Sequence, residues 1–315
     1  MDDGARTAGH CMTIPFLASV VPPHVFCLRA EGVTYASVRR ESPAGFAQSR
    51  HFAYPPNTVG VSAAGTPLLS REAVAESVEA GRRLSNGRLS RASVVFPDSW
   101  ARMLPIDFDS LPDSETAVRE MVSWKLKKLF PGVSSDLTIV FREMSGVGAG
   151  RRLLVATVPT QSLESIEKSF ESVGVRIGAL LPASLSLFEG FSATLFARAR
   201  GDYALIHRAP GSFVFLVAKD GAPIFFRQRP SDAAGHDHEQ EIRLSLSYYA
   251  EKLGGKGLAA AFAHDESPSE SRLADAFPVP LEPLSGRFFG ADASFDQLVG
   301  ARPELLAAFA AAYAD

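Results

Sequence analysis

Three groups of residues in this 315-residue chain have side chains and spacings that chemistry can use. Gly146, Gly148 and Gly150 have the glycine density of a phosphate-binding loop. Such a loop passes its anion to the free amides of a helix that follows directly. Here Leu153-Leu154-Val155-Ala156 follows, an extended apolar run, so the glycines read as a hairpin loop. His236, Asp237, His238, Glu239 and Glu241 crowd metal-ligand atoms together. No second cluster at a zinc spacing accompanies them and no H-E-x-x-H motif is present, so they read as a solvated helix start whose acids suit the dipole. Lys125, Lys127 and Lys128 form a basic stretch, read as a solvated face with Trp124 part-buried beside it. There is no G-x-S-x-G elbow, and neither Cys11 nor Cys27 is set up as a nucleophile. From the residues alone, the expectation is no catalytic group and no metal.

The bulk chemistry narrows the classes further. With 46% hydrophobic and 21% charged residues the chain can bury a substantial core, and its length suits two domains or one bilobed one. A formal charge of −3 gives no electrostatic reason for nucleic acid or an acidic membrane to be the main partner. Two cysteines make no disulfide framework and suit a reducing compartment. No window reaches the roughly 18–20 apolar residues of a spanning helix. The N-terminus is acidic and its apolar patch is broken by Pro15, so it does not read as a signal peptide. The expected location is the cytoplasm, with membrane association only through a partner.

Residues 1–22 show no periodicity and are expected to be an arm. Val25–Val38 reads as strand, turn at Glu31-Gly32, strand, and residues 39–68 as hairpin and connector. Ser70 is an N-cap for a helix over Arg71–Leu84, ended by Asn86-Gly87. Val94–Phe96 is a short strand with Trp100–Ile106 expected as its hairpin mate. A helix capped at Asp113 or Ser114 carries Val118, Met121, Val122, Leu126 and Leu129 at helical spacing. Leu137–Glu143 and Arg151–Val158 form a second hairpin, followed by helices at 162–172 and 182–196. Tyr203–His207, Ser212–Lys219 and Pro223–Arg229 form a meander with turns at Pro210-Gly211 and Asp220-Gly221. A helix over 237–252, a strand over Leu258–Phe262 and a C-terminal helix opened by Pro303 complete the chain.

Two meander-plus-helix halves, with a strand-strand-helix-strand-strand-helix unit inserted in the first, resemble the actin-like ATPase superfamily. Phe96-Pro97-Asp98, Trp124-Lys125-Leu126-Lys127-Lys128 with Pro131, Pro182-Ala183-Ser184 and Ser245-Leu246-Ser247-Tyr248-Tyr249 are similar to PilM-like type IV pilus assembly proteins. Pro15–Ser19, Pro22–Val25, Ala156, Pro159 and the Leu163–Val173 helix extend the likeness, which covers most of residues 14–262. FtsA and the cytoplasmic part of GspL are similar too. The resemblance implies a bilobed actin-like, ribonuclease H-like α/β fold. It divides the chain into a first lobe at 23–93 and 175–200, an inserted subdomain at 94–174 and a second lobe at 201–315.

It also implies where a nucleotide site belongs, and there this sequence departs. The family's Asp-Ile-Gly type turn falls on Cys27-Leu28-Arg29-Ala30, with neither acid nor glycine. The second phosphate turn falls on His207-Arg208-Ala209, close to Gly211, and the adenosine-side Gly-Gly on Ala263-His264-Asp265. Side chains at glycine positions obstruct phosphate, and the missing carboxylates remove support for magnesium. Cys27, Arg29, His207, Arg208 and Gly211 are therefore expected to mark a degenerate cleft with no cofactor and no metal.

The expected function is that of a cytoplasmic scaffold of a bacterial pilus platform, a pseudo-ATPase binding the cytoplasmic N-terminal peptide of a PilN-like bitopic membrane protein. A pilus motor ATPase and other platform proteins are further partners that the resemblance implies, and nucleic acid is not among them. One alternative is an ATPase with an atypical cleft, in which Arg29 or Arg208 contacts phosphate and ATP with magnesium binds. The other is a GspL-like type II secretion component, against which the chain's end at Asp315, before any membrane segment, is expected to speak.

Overall fold

The computed structural model describes residues 22–56, 58–61, 67–131, 136–145, 150–231, 238–266 and 273–314. The expected arm lies outside these, apart from Pro22, as do Gly146, Gly148, His236 and Asp237.

Two five-stranded sheets share one topology. In the first, β1 (His24–Leu28), β2 (Gly32–Arg39) and β3 (Gly45–Ala53) form an antiparallel meander, and β6 (Arg91–Phe96) and β10 (Arg176–Pro182) add in parallel, giving the order β10-β6-β1-β2-β3. In the second, the meander β11 (Tyr203–Ala209), β12 (Ser212–Lys219) and β13 (Ala222–Arg229) is joined by β14 (Ala260–Asp265) and β15 (Leu281–Pro283), in the order β13-β12-β11-β14-β15. The turns explain the meanders: Asp220 and Gly221 both have positive φ, and Gly211 turns β11 into β12 at φ 77°. A short pair, β4 (Val59–Val61) and β5 (Pro67–Leu69), leads to the first helix.

Helix α1 (Arg71–Leu84) begins where Ser70 accepts a hydrogen bond from the Ala73 amide at 3.3 Å, and ends at Asn86 and Gly87, both with positive φ. Alternation along β1 separates the two faces of the first sheet. Phe26 packs on Phe170 of α3 (Thr160–Glu171) and beside Gly81 of α1, while Cys27 faces Glu304 at the start of α7 (Glu304–Ala311). Helices thus cover both faces. α7 comes from the end of the chain yet packs on the first sheet and on α4 (Ala183–Ala199), where Gly190 lets the two backbones touch: a Cβ there would lie 2.2 Å from the Ala310 carbonyl oxygen. In the second half α5 (His238–Lys252) buries Ile242 and Tyr249, and α6 (Ala293–Ala301) precedes α7.

The third sheet, β7-β9-β8, comprises β7 (Arg102–Phe108), β8 (Leu137–Met144) and β9 (Arg151–Pro159), with α2 (Glu115–Leu129) across it. It has its own core: Val118, Val122 and Leu126 meet Ile106, Phe108, Ile139, Phe141, Leu153 and Val155.

Several expectations change. Trp100–Ile106 is not the hairpin mate of Val94–Phe96. β6 has β1 on one side and β10 on the other, and Pro97 with the turn Asp98–Trp100 carries the chain away to pair β7 with β9. Residues 94–96 and α3 therefore belong with the first sheet, although expected in the inserted unit, and so does α7, expected in the second half. β10 was not expected at all. The late strand begins at Ala260 and runs on to Asp265. Trp124 is 62% exposed and Leu129 50%, because the buried face of α2 follows Val118, Val122 and Leu126 rather than a broader stripe.

Candidate functional site

The cleft between the two sheets holds a buried polar network assembled from five elements. Asp98 opens the turn after β6, and its carboxylate is fully buried. Its Oδ1 accepts from the Ser184 amide at 3.0 Å and the Ser184 hydroxyl at 2.8 Å, which caps the first turn of α4 from outside the helix. Its Oδ2 meets His207 Nδ1 at 2.7 Å, and His207 Nε2 lies 3.3 Å from Glu266 Oε1. Arg29, in the turn after β1, donates to Glu266 Oε2. His207 and His264 are register partners on parallel strands, so their rings stack with centroids 5.5 Å apart.

The charges follow from this geometry. Burial pushes the His207 imidazolium down, but Asp98 and Glu266 outweigh it and raise its pKa to about 9. Burial raises Glu266, and His207 with Arg29 more than reverse that, holding it at about 2. His264 has the opposite fate: burial, reinforced by the His207 charge beside it, lowers it to about 4. Near neutral pH a charged His207 and Arg29 flank an ionised Glu266 beside a neutral His264.

The five marked positions divide. Cys27, Arg29 and His207 converge here: Cys27 lies under the network, its thiol 3.4 Å from the Glu304 carbonyl and its pKa raised by burial. Arg208 points the other way along β11 and pairs with Asp265, Nε to Oδ1 at 3.0 Å. Gly211 sits at the rim, where a Cβ would come 3.4 Å from Ser99. Beneath the network is a cavity of ≈ 10 Å³, lined by Cys27, Arg29, Pro97, Glu266 and Glu304 among others. That is about the space of one water. Glu266 carried no signal in the sequence, since a lone acid in a turn has no periodicity, and Asp98 stood out only within the Phe96-Pro97-Asp98 likeness, not as a charge partner. His264 stood out only as a non-glycine.

The other candidates disperse. His238 stacks on Phe213, Glu239 pairs with Arg243, and Glu241 reaches Arg227 at 3.2 Å and Arg229 at 3.3 Å, so the described part of that cluster is spent on ion pairs and packing. Lys125 donates to the Asp107 carbonyl, and Lys128 lies over the Trp124 ring. Gly150 belongs to the β8–β9 connection.

A second feature is a groove between the third sheet and the first lobe. It has a cavity volume of ≈ 50 Å³ and is lined by Val140, Leu154, Leu180, Leu185 and Phe188, with an Arg142–Glu189 ion pair at its edge. β8, which supplies one wall, is an edge strand of its sheet.

No family model matches this sequence, and no curated protein does. Solved structures do match in fold. The chain superposes on a structure described as "PilM-PilN type IV pilus biogenesis complex" with a TM-score of 0.72 at 14% identity, covering 93% of this chain and 98% of that one. The chain therefore shares the overall fold of that structure. Looser likenesses are the cytoplasmic domain of EpsL, an inner membrane component of the type II secretion system of Vibrio cholerae, and a protein of unknown function with an actin-like ATPase fold from Bacteroides thetaiotaomicron. Their TM-scores are 0.47 and 0.48, at 13% and 8% identity. They cover 88% and 90% of this chain and 94% of each of theirs. Among the described residues no helix is long and apolar enough to cross a membrane.

Proposed function

We propose that this chain is a scaffold of a type IV pilus inner-membrane platform, which holds the cytoplasmic N-terminal peptide of a PilN-like single-span protein and no longer binds ATP. The carrying observation is the groove of Val140, Leu154, Leu180, Leu185 and Phe188: an apolar trough beside an edge strand, the form that takes an extended peptide by strand addition with side chains in pockets. The likeness to a PilM–PilN structure supports the partner class. On this reading the chain works in the cytoplasm and meets the membrane through its partner, with a motor ATPase and other platform proteins as neighbours in the assembly.

The loss of ATP binding is supported by the cleft. Arg29 and Arg208 are the cations an atypical phosphate site would use, and they are committed to Glu266 and Asp265. Magnesium favours oxygen ligands and retained waters, and the cavity beneath the network has room for about one water. The domain division that suits the strand pairings is an inserted unit at about 97–159, narrower than 94–174, with α7 returned to the first lobe.

The test is capture from host extract on the immobilised full chain. The expected result is recovery of a small single-span membrane protein, lost when its cytoplasmic tail is deleted. Recovery should also fall at least tenfold with Val140→Arg, a half-buried groove position, and be unchanged with Trp124→Ala on the far side of the sheet. Tail-independent recovery, or binding that survives in a folded Val140→Arg variant, contradicts the reading.

A further inference from the structure

His264 Nε2 is fully enclosed, lies 3.8 Å from Glu266 Oε1, and has no hydrogen-bond partner. Burial and the His207 charge beside it keep the ring neutral, and in the tautomer protonated at Nδ1 the Nε2 presents a bare lone pair. An unmatched buried acceptor of this kind costs on the order of 1–3 kcal/mol. His207 is oriented in the same way, with Nδ1 held by Asp98 and Nε2 turned to Glu266 Oε1.

We propose that His207 Nε2, His264 Nε2 and Glu266 Oε1 are the ligands of a buried zinc-class divalent cation. The three atoms lie within 4.8 Å of one another, against about 3.3 Å between ligands of a tetrahedral zinc shell, so small side-chain shifts close it. Two imidazoles and a carboxylate suit zinc and not magnesium or calcium, which take oxygen. Two of the ligands already have the outer partner that metal ligands need: Asp98 on His207 and Arg29 on Glu266. The cavity that Glu266 borders has room for a single water as the fourth ligand. On binding, the cation takes the place of the His207 Nε2 proton, which leaves to solvent, and it supplies the partner that His264 lacks. Because Arg29 belongs to the first lobe, Asp98 to the start of the inserted unit and the ligands to the second lobe, the bound ion ties these parts together.

The site is independent of the peptide groove, and partner capture in chelator tests the one without the other. The experiment strips the full-length chain with EDTA and titrates it with zinc chloride against a chromophoric zinc chelator, with thermal unfolding in parallel. The expected result is one tight zinc per chain and a raised midpoint. His264→Gln should weaken binding about a hundred-fold and abolish the rise in midpoint that zinc gives, measured against the variant's own midpoint in EDTA. Asp98→Asn should weaken it about ten- to a hundred-fold through His207. Absence of saturable zinc, or zinc bound equally well by His264→Gln, overturns the proposal.

Discussion

Replacing Asp98 with alanine lowers the unfolding free energy of the metal-free chain by about 3–5 kcal/mol, the range for removing one partner of a buried ion pair. The carboxylate is fully buried and serves three donors: the Ser184 amide, the Ser184 hydroxyl and the His207 imidazolium. Alanine leaves the first turn of α4 without its outside cap and the His207 charge with Glu266 alone. The pH dependence should change with it. His207 titrates near 9 in the folded chain, above its unfolded value of about 6.5, so its contribution is complete below pH 6.5 and is lost as pH rises through 9. Glu266, held at about 2, contributes above its unfolded pKa and loses that contribution as pH falls through 2. His264, lowered to about 4, also weakens the folded state as pH falls below 6.5. Urea unfolding in EDTA from pH 6 to 10 should show the parent losing roughly 3 kcal/mol and Asp98→Ala losing much less. Equal alkaline losses in both would mean that Asp98 does not hold the His207 proton.

Phe309→Ala is the second large effect, about 3–5 kcal/mol. Phe309 is fully buried on α7, with Phe295, Tyr313, Phe289 and Phe46 ring centroids at 4.6, 4.9, 5.6 and 5.8 Å. Four rings from four segments cannot collapse together into the space of one lost ring, because β3, the turn before α6, α6 itself and the residues after α7 each fix one of them. The control is Leu298→Ala on α6, 41% exposed, expected within about 0.5 kcal/mol of the parent. Guanidinium midpoints at constant slope measure both. A Phe309→Ala loss under 1 kcal/mol would show that the C-terminal helix does not hold the first lobe.

What the sequence made legible was local. The meander turns at Glu31-Gly32, Pro210-Gly211 and Asp220-Gly221, the Ser70 cap and the spacing of Val118, Val122 and Leu126 each announce an element within a few residues. β10 was not legible, since a parallel strand buried on both faces has no alternation, and Gly178, where the register slips between Ile177 and Ala179, reads as a break. β6 was recognised but given the wrong partner, because its mates are β1 and β10, far away in sequence, and not the next apolar run. The cleft was half legible. The resemblance marked Cys27, Arg29 and His207 as places where glycine or acid had gone. What replaced them joins residues as distant as Arg29 and Glu266, 237 positions apart, and only the parallel pairing of β11 with β14 brings His207 beside His264 and Glu266. Trp124 failed for a simpler reason: helical spacing fixes a face, but the narrow three-stranded sheet covers only part of it.

The central claim is that the cleft is closed by its own side chains and that the chain acts by contact. Calorimetric titration of the full-length protein with ATP and magnesium tests this most directly. The account predicts no saturable heat up to millimolar nucleotide. Micromolar binding that is lost with Arg208→Ala would contradict it.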